Sequence, residues 1–185
     1  MPMEVRIEPT EIESVLEVHT GLVEDERGSF SESYSAEMWS RAGFKETFVQ
    51  DNLSRSARGT LRGMHYQINP AGMGKLVRCV SGAIFDVAVD LRKNSETFGQ
   101  WVGRELRGTR GLSLWVPVGF AHGFVALEEN SLVHYKCTAI HTPACERAIH
   151  YRDPRLKIEW PIQPTVVSAK DEEAPRFDQA EMNFD

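Results

Sequence analysis

The chain has 185 residues, 41% hydrophobic and 26% charged, which suits one globular domain with a substantial core. Its formal net charge of −6 argues against a nucleic-acid binder, which usually presents a basic face, but is compatible with a locally basic pocket for an anionic small molecule. Cys79, Cys137 and Cys145 have no paired spacing and read as reduced thiols. Residues 1–10 hold no apolar leader and no run is long enough to span a bilayer, so a cytoplasmic protein without membrane contact is expected.

The first predicted element is a short helix over 35–42, with Ser35 as N-cap and Gly43 as the stop. Strands are predicted over 61–68 and 75–80. The next, over 82–91, alternates cleanly: Phe85, Val87, Val89 and Leu91 on one face, Asp86 and Asp90 on the other, the pattern of a half-buried strand. A strand over 112–116 ends at Pro117 and Gly119, and one over 132–139 puts Val133, Tyr135 and Cys137 on a common face. No repeat or linker interrupts the chain. Many short strands with Gly and Pro punctuation predict an all-β fold, a jelly-roll barrel, formed as a single domain over 1–185. Such a barrel holds ligands inside, so inward polar residues would define the site.

Several residues carry chemistry. His65 lies in Arg62-Gly63-Met64-His65-Tyr66-Gln67. A lone strand histidine is commonly structural, but Gly63 signals close backbone approach and Arg62 has the fork that fits phosphate. In a regular strand Arg62 and His65 point to opposite faces, so both reach one ligand only if Gly63 bends or bulges the strand. His122 lies in Pro117-Val118-Gly119-Phe120-Ala121-His122, which resembles the second half of a cupin metal motif. The first half would need a His-x-His pair, and the chain offers His65-Tyr66-Gln67, too few donors for a catalytic metal. Tyr135 reads as a barrel-lining residue. Lys75 follows Gly72-Met73-Gly74 without the spacing of a phosphate-binding P-loop, and Asp171, in Lys170-Asp171-Glu172-Glu173, reads alone as part of a solvated charge run.

Taken in order, these segments resemble the dTDP-4-dehydrorhamnose 3,5-epimerase family. The resemblance is carried by Asp25-Glu26-Arg27-Gly28-Ser29-Phe30-Ser31-Glu32, Phe48-Val49-Gln50-Asp51-Asn52, Leu61-Arg62-Gly63-Met64-His65-Tyr66-Gln67 and Gly74-Lys75-Leu76-Val77-Arg78. It continues through Phe85-Asp86-Val87-Ala88-Val89-Asp90-Leu91-Arg92, Phe120-Ala121-His122-Gly123-Phe124, Tyr135-Lys136 and Ser168-Ala169-Lys170-Asp171. It implies a cupin-like jelly roll, a homodimer with exchanged N-terminal strands, a C-terminal segment packed by the barrel, no metal and no other cofactor. The implied reaction is epimerisation at C3 and C5 of dTDP-4-dehydro-6-deoxy-D-glucose. By match of motif, His65 would be the proton acceptor, Tyr135 the donor, Asp171 the partner of His65, and Lys75 a neighbour of the sugar oxygen. Arg27, Glu32, Gln50, Asp51, Asn52, Arg62, His122, Glu146 and Lys170 would contact substrate, Arg27 and Glu32 in the neighbouring subunit's site. The chain departs from the family at Ile140 and His141, where an aromatic pair is usual, which leaves His141 to stack on the base. Met64 replaces the usual leucine, a volume-conserving exchange.

These residue types suit that chemistry. A C4 ketone acidifies the hydrogens on C3 and C5; inversion needs a base on one face and an acid on the other. Histidine, with an ordinary pKa of about 6.5, suits the base, and an aspartate on its other nitrogen fixes the tautomer. Tyrosine, with pKa about 10, holds a proton to donate, and a lysine stabilises the enolate oxygen. Three other readings stay open: a 3- or 5-monoepimerase of a related nucleotide 4-keto-6-deoxy sugar, a non-catalytic sugar-binding jelly roll, and a metal-dependent cupin enzyme.

Overall fold

Gly and Pro cut the chain into short strands that pair almost entirely antiparallel. The computed structural model describes residues 4–185; of the segment 1–10, residues 1–3 lie outside it. A six-stranded sheet runs in the order β1 (Val5–Pro9), β2 (Leu16–Thr20), β10 (Leu112–Val116), β7 (Lys75–Ser81), β12 (Ser131–Cys137), β5 (Gln50–Ser56). A five-stranded sheet runs β13 (Glu146–Ala148), β6 (Leu61–Gln67), β11 (Phe120–Ala126), β8 (Ala83–Asp90), β9 (Trp101–Arg107). A small hairpin, β3 (Val23–Asp25) and β4 (Gly28–Phe30), stands apart with all its residues exposed. The result is the all-β, cupin-like jelly roll expected from the sequence.

The two large sheets close on a core that includes Val77, Ile84, Ala88, Leu106, Leu114 and Val133. Burying each Val, Leu or Ile side chain contributes about 1.5–3 kcal/mol, which makes the sandwich the main source of stability. The outer face of the five-stranded sheet is covered as well: Met64, Val87, Val89 and Leu91 pack against Ile149, Leu156, Phe177 and Phe184 of the C-terminal segment. On the outer face of the six-stranded sheet, helix α1 (Ala36–Arg41) begins at Ser35, whose hydroxyl caps Met38 N, and buries Trp39 against Val18, Leu76 and Trp115.

One sequence expectation is corrected here. The alternation over 82–91 predicts a half-buried strand, but β8 is the strand between β11 and β9 and is buried on both faces; Asp86 and Asp90 are each 0% exposed. The apolar set faces outward under the C-terminal segment, and the two aspartates share the inward face with Ile84 and Ala88. Period-two alternation separates the faces of a strand without saying which one meets water. A buried carboxylate needs partners, and Asp90 accepts from Arg92 N, Nε and Nη2, from Ser95 Oγ and from Thr97 Oγ1. Asp86 differs: only its Oδ1 has a hydrogen-bond partner, His122 Nε2, and it lies beside the site.

Candidate active site

The site grows from an irregularity in β6. His122 pairs with His65 and Phe124 with Arg62, so a step of two residues along β11 faces a step of three along β6. That is a β-bulge, and it falls on Gly63. Gly63 has φ +139°, and a Cβ there would lie 2.5 Å from Gly123 Cα. Two glycines therefore let the strands approach where the register changes. The bulge meets the condition set by the sequence: Arg62 and His65 both turn to the same cavity.

That cavity, of about 390 Å³, is lined by Arg62, His65, Lys75, His122, Phe124, Tyr135, Lys170 and Asp171, with Leu61 and residues 166–168 at its edge. Lys75 and Tyr135 come from the inward faces of β7 and β12, His65 and His122 from β6 and β11. Asp171 comes from helix α2 (Ala169–Glu172), whose N-cap Ser168 accepts from Asp171 N. The charge run around Asp171 is thus solvated on only some of its members: Asp171 is 3% exposed and points inward. Its carboxylate accepts at 2.6 Å from His65 Nε2 and at 3.4 Å from Gly63 N. Burial raises the Asp171 pKa, but the His65 hydrogen bond and charge, with help from Gly63 and Ser168, outweigh it and hold the carboxyl below its ordinary range. Asp171 therefore stays ionised and holds the His65 ring by Nε2, and His65 lines the cavity.

A second imidazole–carboxylate pair lies alongside. His122 Nε2 is 2.7 Å from Asp86 Oδ1, and both residues are buried. Burial pushes the His122 pKa down despite the Asp86 carboxylate, so the ring is neutral. Its centroid lies 6.5 Å from that of Tyr135. Burial raises the Tyr135 pKa, so the phenol keeps its proton at neutral pH. Lys75 donates to the His65 backbone oxygen at 3.5 Å. Burial lowers its pKa, against the opposing pull of Cys137, Asp86 and Glu146.

Apart from Lys170, which lines its mouth, the remaining sequence candidates sit outside the cavity wall. At its rim, Lys170 bonds Glu146 at 2.6 Å, and the His141 ring lies 3.6 Å from the same carboxylate. Gln50 accepts from His141 N and donates to Asn52, which donates on to Cys137 Sγ. Asp51 pairs with Lys136 at 2.8 Å. Arg27 is exposed on the β3–β4 turn and pairs with Asp25, and Glu32 follows that hairpin; neither lines this chain's cavity. Sequence reasoning missed Asp86 as a site residue. Its signal was a carboxylate inside an otherwise apolar strand, which was read as a solvent face. Cys79, Cys137 and Cys145 are free thiols, the first two buried. Among the described residues, the one grouping of three potential metal donors, Glu8, Glu17 and His19, lies on the β1–β2 hairpin, where Arg6 and Arg104 already neutralise the glutamates. No helix among the described residues is long and apolar enough to cross a membrane.

An imidazole held by a buried carboxylate, a phenol, a lysine and an arginine around one cavity inside a jelly roll are the groups of a proton-transfer enzyme. The model of the dTDP-4-dehydrorhamnose 3,5-epimerase family matches residues 9–179. The chain is 52% identical over 159 residues to dTDP-4-dehydrorhamnose 3,5-epimerase of Pseudomonas aeruginosa, covering 85% of this chain and 87% of the relative. It is 46% identical over 173 residues to the enzyme of that name from Shigella flexneri, covering 93% and 96%. A solved dTDP-6-deoxy-D-glucose-3,5-epimerase from Legionella pneumophila in complex with dTDP-4-keto-L-rhamnose superposes with TM-score 0.90 at 44% identity, covering 95% of this chain and 94% of that one. The chain belongs to the dTDP-4-dehydrorhamnose 3,5-epimerase family.

Proposed function

We propose that this enzyme converts dTDP-4-dehydro-6-deoxy-D-glucose to dTDP-4-dehydro-L-rhamnose, inverting C3 and C5 beside the C4 ketone. The observation that carries this reading is the union of the His65–Asp171 pair, Lys75 and Tyr135 around one cavity. His65 Nδ1 takes the proton from the carbon. The electron pair moves to the C4 oxygen, where the Lys75 cation meets the developing charge. Tyr135 returns a proton to the opposite face of that carbon. Asp171 stabilises the imidazolium that forms meanwhile. Arg62 and Lys170 supply positive charge at the mouth for the diphosphate, and binding energy from the remote nucleotide orients the sugar.

The working form is proposed to be a cytoplasmic homodimer, with 1–185 as a single domain and without nucleic-acid or membrane partners. The β3–β4 hairpin supports the dimer: Phe30 and Val23 are 66% and 49% exposed, a large apolar surface for so short an element. Seated on a second copy, the hairpin would carry Arg27 and Glu32 to the partner's substrate, while Gln50, Asn52, His141 and Glu146 would hold the nucleotide end on their own side. Incubation with dTDP-4-dehydro-6-deoxy-D-glucose, an NADPH-dependent 4-ketoreductase and NADPH tests the function. dTDP-L-rhamnose is the expected product; a sugar inverted at one carbon alone would assign a monoepimerase instead.

A further inference from the structure

Within that reaction, we propose that Asp86 is a positioning residue: from behind the cavity wall it holds His122 as the Nε2–H tautomer and supplies the counter-charge that keeps Lys75 cationic. The inference rests on the function proposed above, since it concerns the cation at the ketone oxygen.

The argument is one of charge accounting around Lys75. The groups that face it are His65 on β6, Asp86 on β8, His122 on β11, Cys137 on β12 and Glu146 on β13. Glu146 is already matched by Lys170 at 2.6 Å. Burial raises the Cys137 pKa, so that thiol is uncharged at neutral pH. His122 is neutral, so the Asp86 charge is not taken up by an imidazolium. Asp86 is 0% exposed; Oδ1 accepts from His122 Nε2 at 2.7 Å, and Oδ2 has no hydrogen-bond partner among the described residues. A fully buried carboxylate with an open oxygen is costly unless a cation compensates it; Lys75 projects from the facing inner side of the other sheet, and Asp86, after Cys137, opposes the fall that burial imposes on the Lys75 pKa. The short bond to Nε2 also fixes which nitrogen carries the His122 proton. Nδ1 is left as an acceptor for a sugar hydroxyl.

The test is Asp86→Asn, which keeps the shape and removes the charge. Opposite charge nearby shifts an ionisable group by about one unit or more, so the Lys75 pKa should fall by that amount. The alkaline limb of kcat/KM should then move to lower pH, and the ratio of parent to variant activity should widen roughly tenfold as pH rises through the limb. Affinity for dTDP, held at the remote end, should stay within about threefold. A loss of equal size at every pH would overturn the proposal, because a merely structural role predicts that. In the parent enzyme, ¹⁵N-histidine spectra should show His122 neutral and protonated on Nε2 at about pH 7; an Nδ1–H or doubly protonated ring overturns the assignment, whether or not the variant folds. Failure of the parent enzyme to epimerise the keto-sugar would instead reject the function, a separate outcome.

Discussion

Replacing Asp171 with Asn probes the base directly. The carboxylate accepts from two donors, His65 Nε2 at 2.6 Å and Gly63 N at 3.4 Å. An amide has one acceptor oxygen. If it serves Gly63, the NH2 group faces His65 Nε2 and forces the ring into the tautomer with its proton on Nδ1, so the base has no lone pair for substrate. If it serves His65, the amide meets the Gly63 N–H donor to donor. In both cases the charge that stabilises the imidazolium is gone. A hydrogen bond to a charged group is worth about 1.5–3 kcal/mol, which is roughly 10–150-fold in rate. Tautomer reversal adds to this; the equivalent change in a serine protease costs about 10⁴ in kcat. The expected fall in kcat therefore lies at roughly 10²–10⁴, read from the coupled NADPH assay with saturating reductase, while KM changes little. A folded Asp171→Asn enzyme with kcat within about threefold of the parent would refute the role of the pair.

Other outcomes follow from the same geometry. Tyr135→Phe should reduce epimerisation by roughly 10²–10⁴ yet leave solvent exchange at the carbon attacked by His65, because removing a proton and returning it to the same face needs no acid; equal loss of both would place the tyrosine elsewhere in the reaction. Gly63→Ala should lower stability and activity together, since its Cβ would meet Gly123 Cα at 2.5 Å with φ +139°; a variant with unchanged Tm would show that the bulge is not tight. Asp90 has its pKa held down: burial raises it, but Arg92, Ser95 and Thr97 prevail. A depressed folded-state pKa gives stability that is present above the unfolded value of about 4 and is lost as pH falls through the folded one. Asp90→Asn should therefore cost about 3 kcal/mol at neutral pH, or roughly 6–12 °C in Tm, with the difference shrinking in acid. Calorimetry across pH checks this, and a difference that grows in acid would reverse the sign of the argument.

Much of this was legible in the sequence, for identifiable reasons. Apolar and β-branched runs bounded by turn residues located β6, β7, β8, β10 and β12, and a cap and a stop located helix α1. β1 to β4, β5, β9, β11 and β13 were missed: Gln50–Ser56 is a polar edge, Trp101–Arg107 mixes Gly and charges, and Phe120–Ala126 is buried throughout, so none of these three shows a clean period. At the site, the demand that Gly63 bulge its strand followed from Arg62 and His65 being an odd number of residues apart. The buried state of Asp171 was not readable from Lys170-Asp171-Glu172-Glu173; it depends on a short capped helix aiming one side chain of the run into the barrel. Asp86 was hidden by a symmetry of alternation, since the covered outer face of β8 looks in sequence like a core face. What decides its role is the C-terminal segment, nearly a hundred residues away in the chain.

The account turns on one proton leaving the sugar carbon for His65. In deuterium oxide, with dTDP-4-dehydro-6-deoxy-D-glucose and no reductase, the parent enzyme should place deuterium at C3 and C5, and His65→Asn should lower that incorporation to near background. Incorporation in His65→Asn at the parent rate would mean that another group removes the proton.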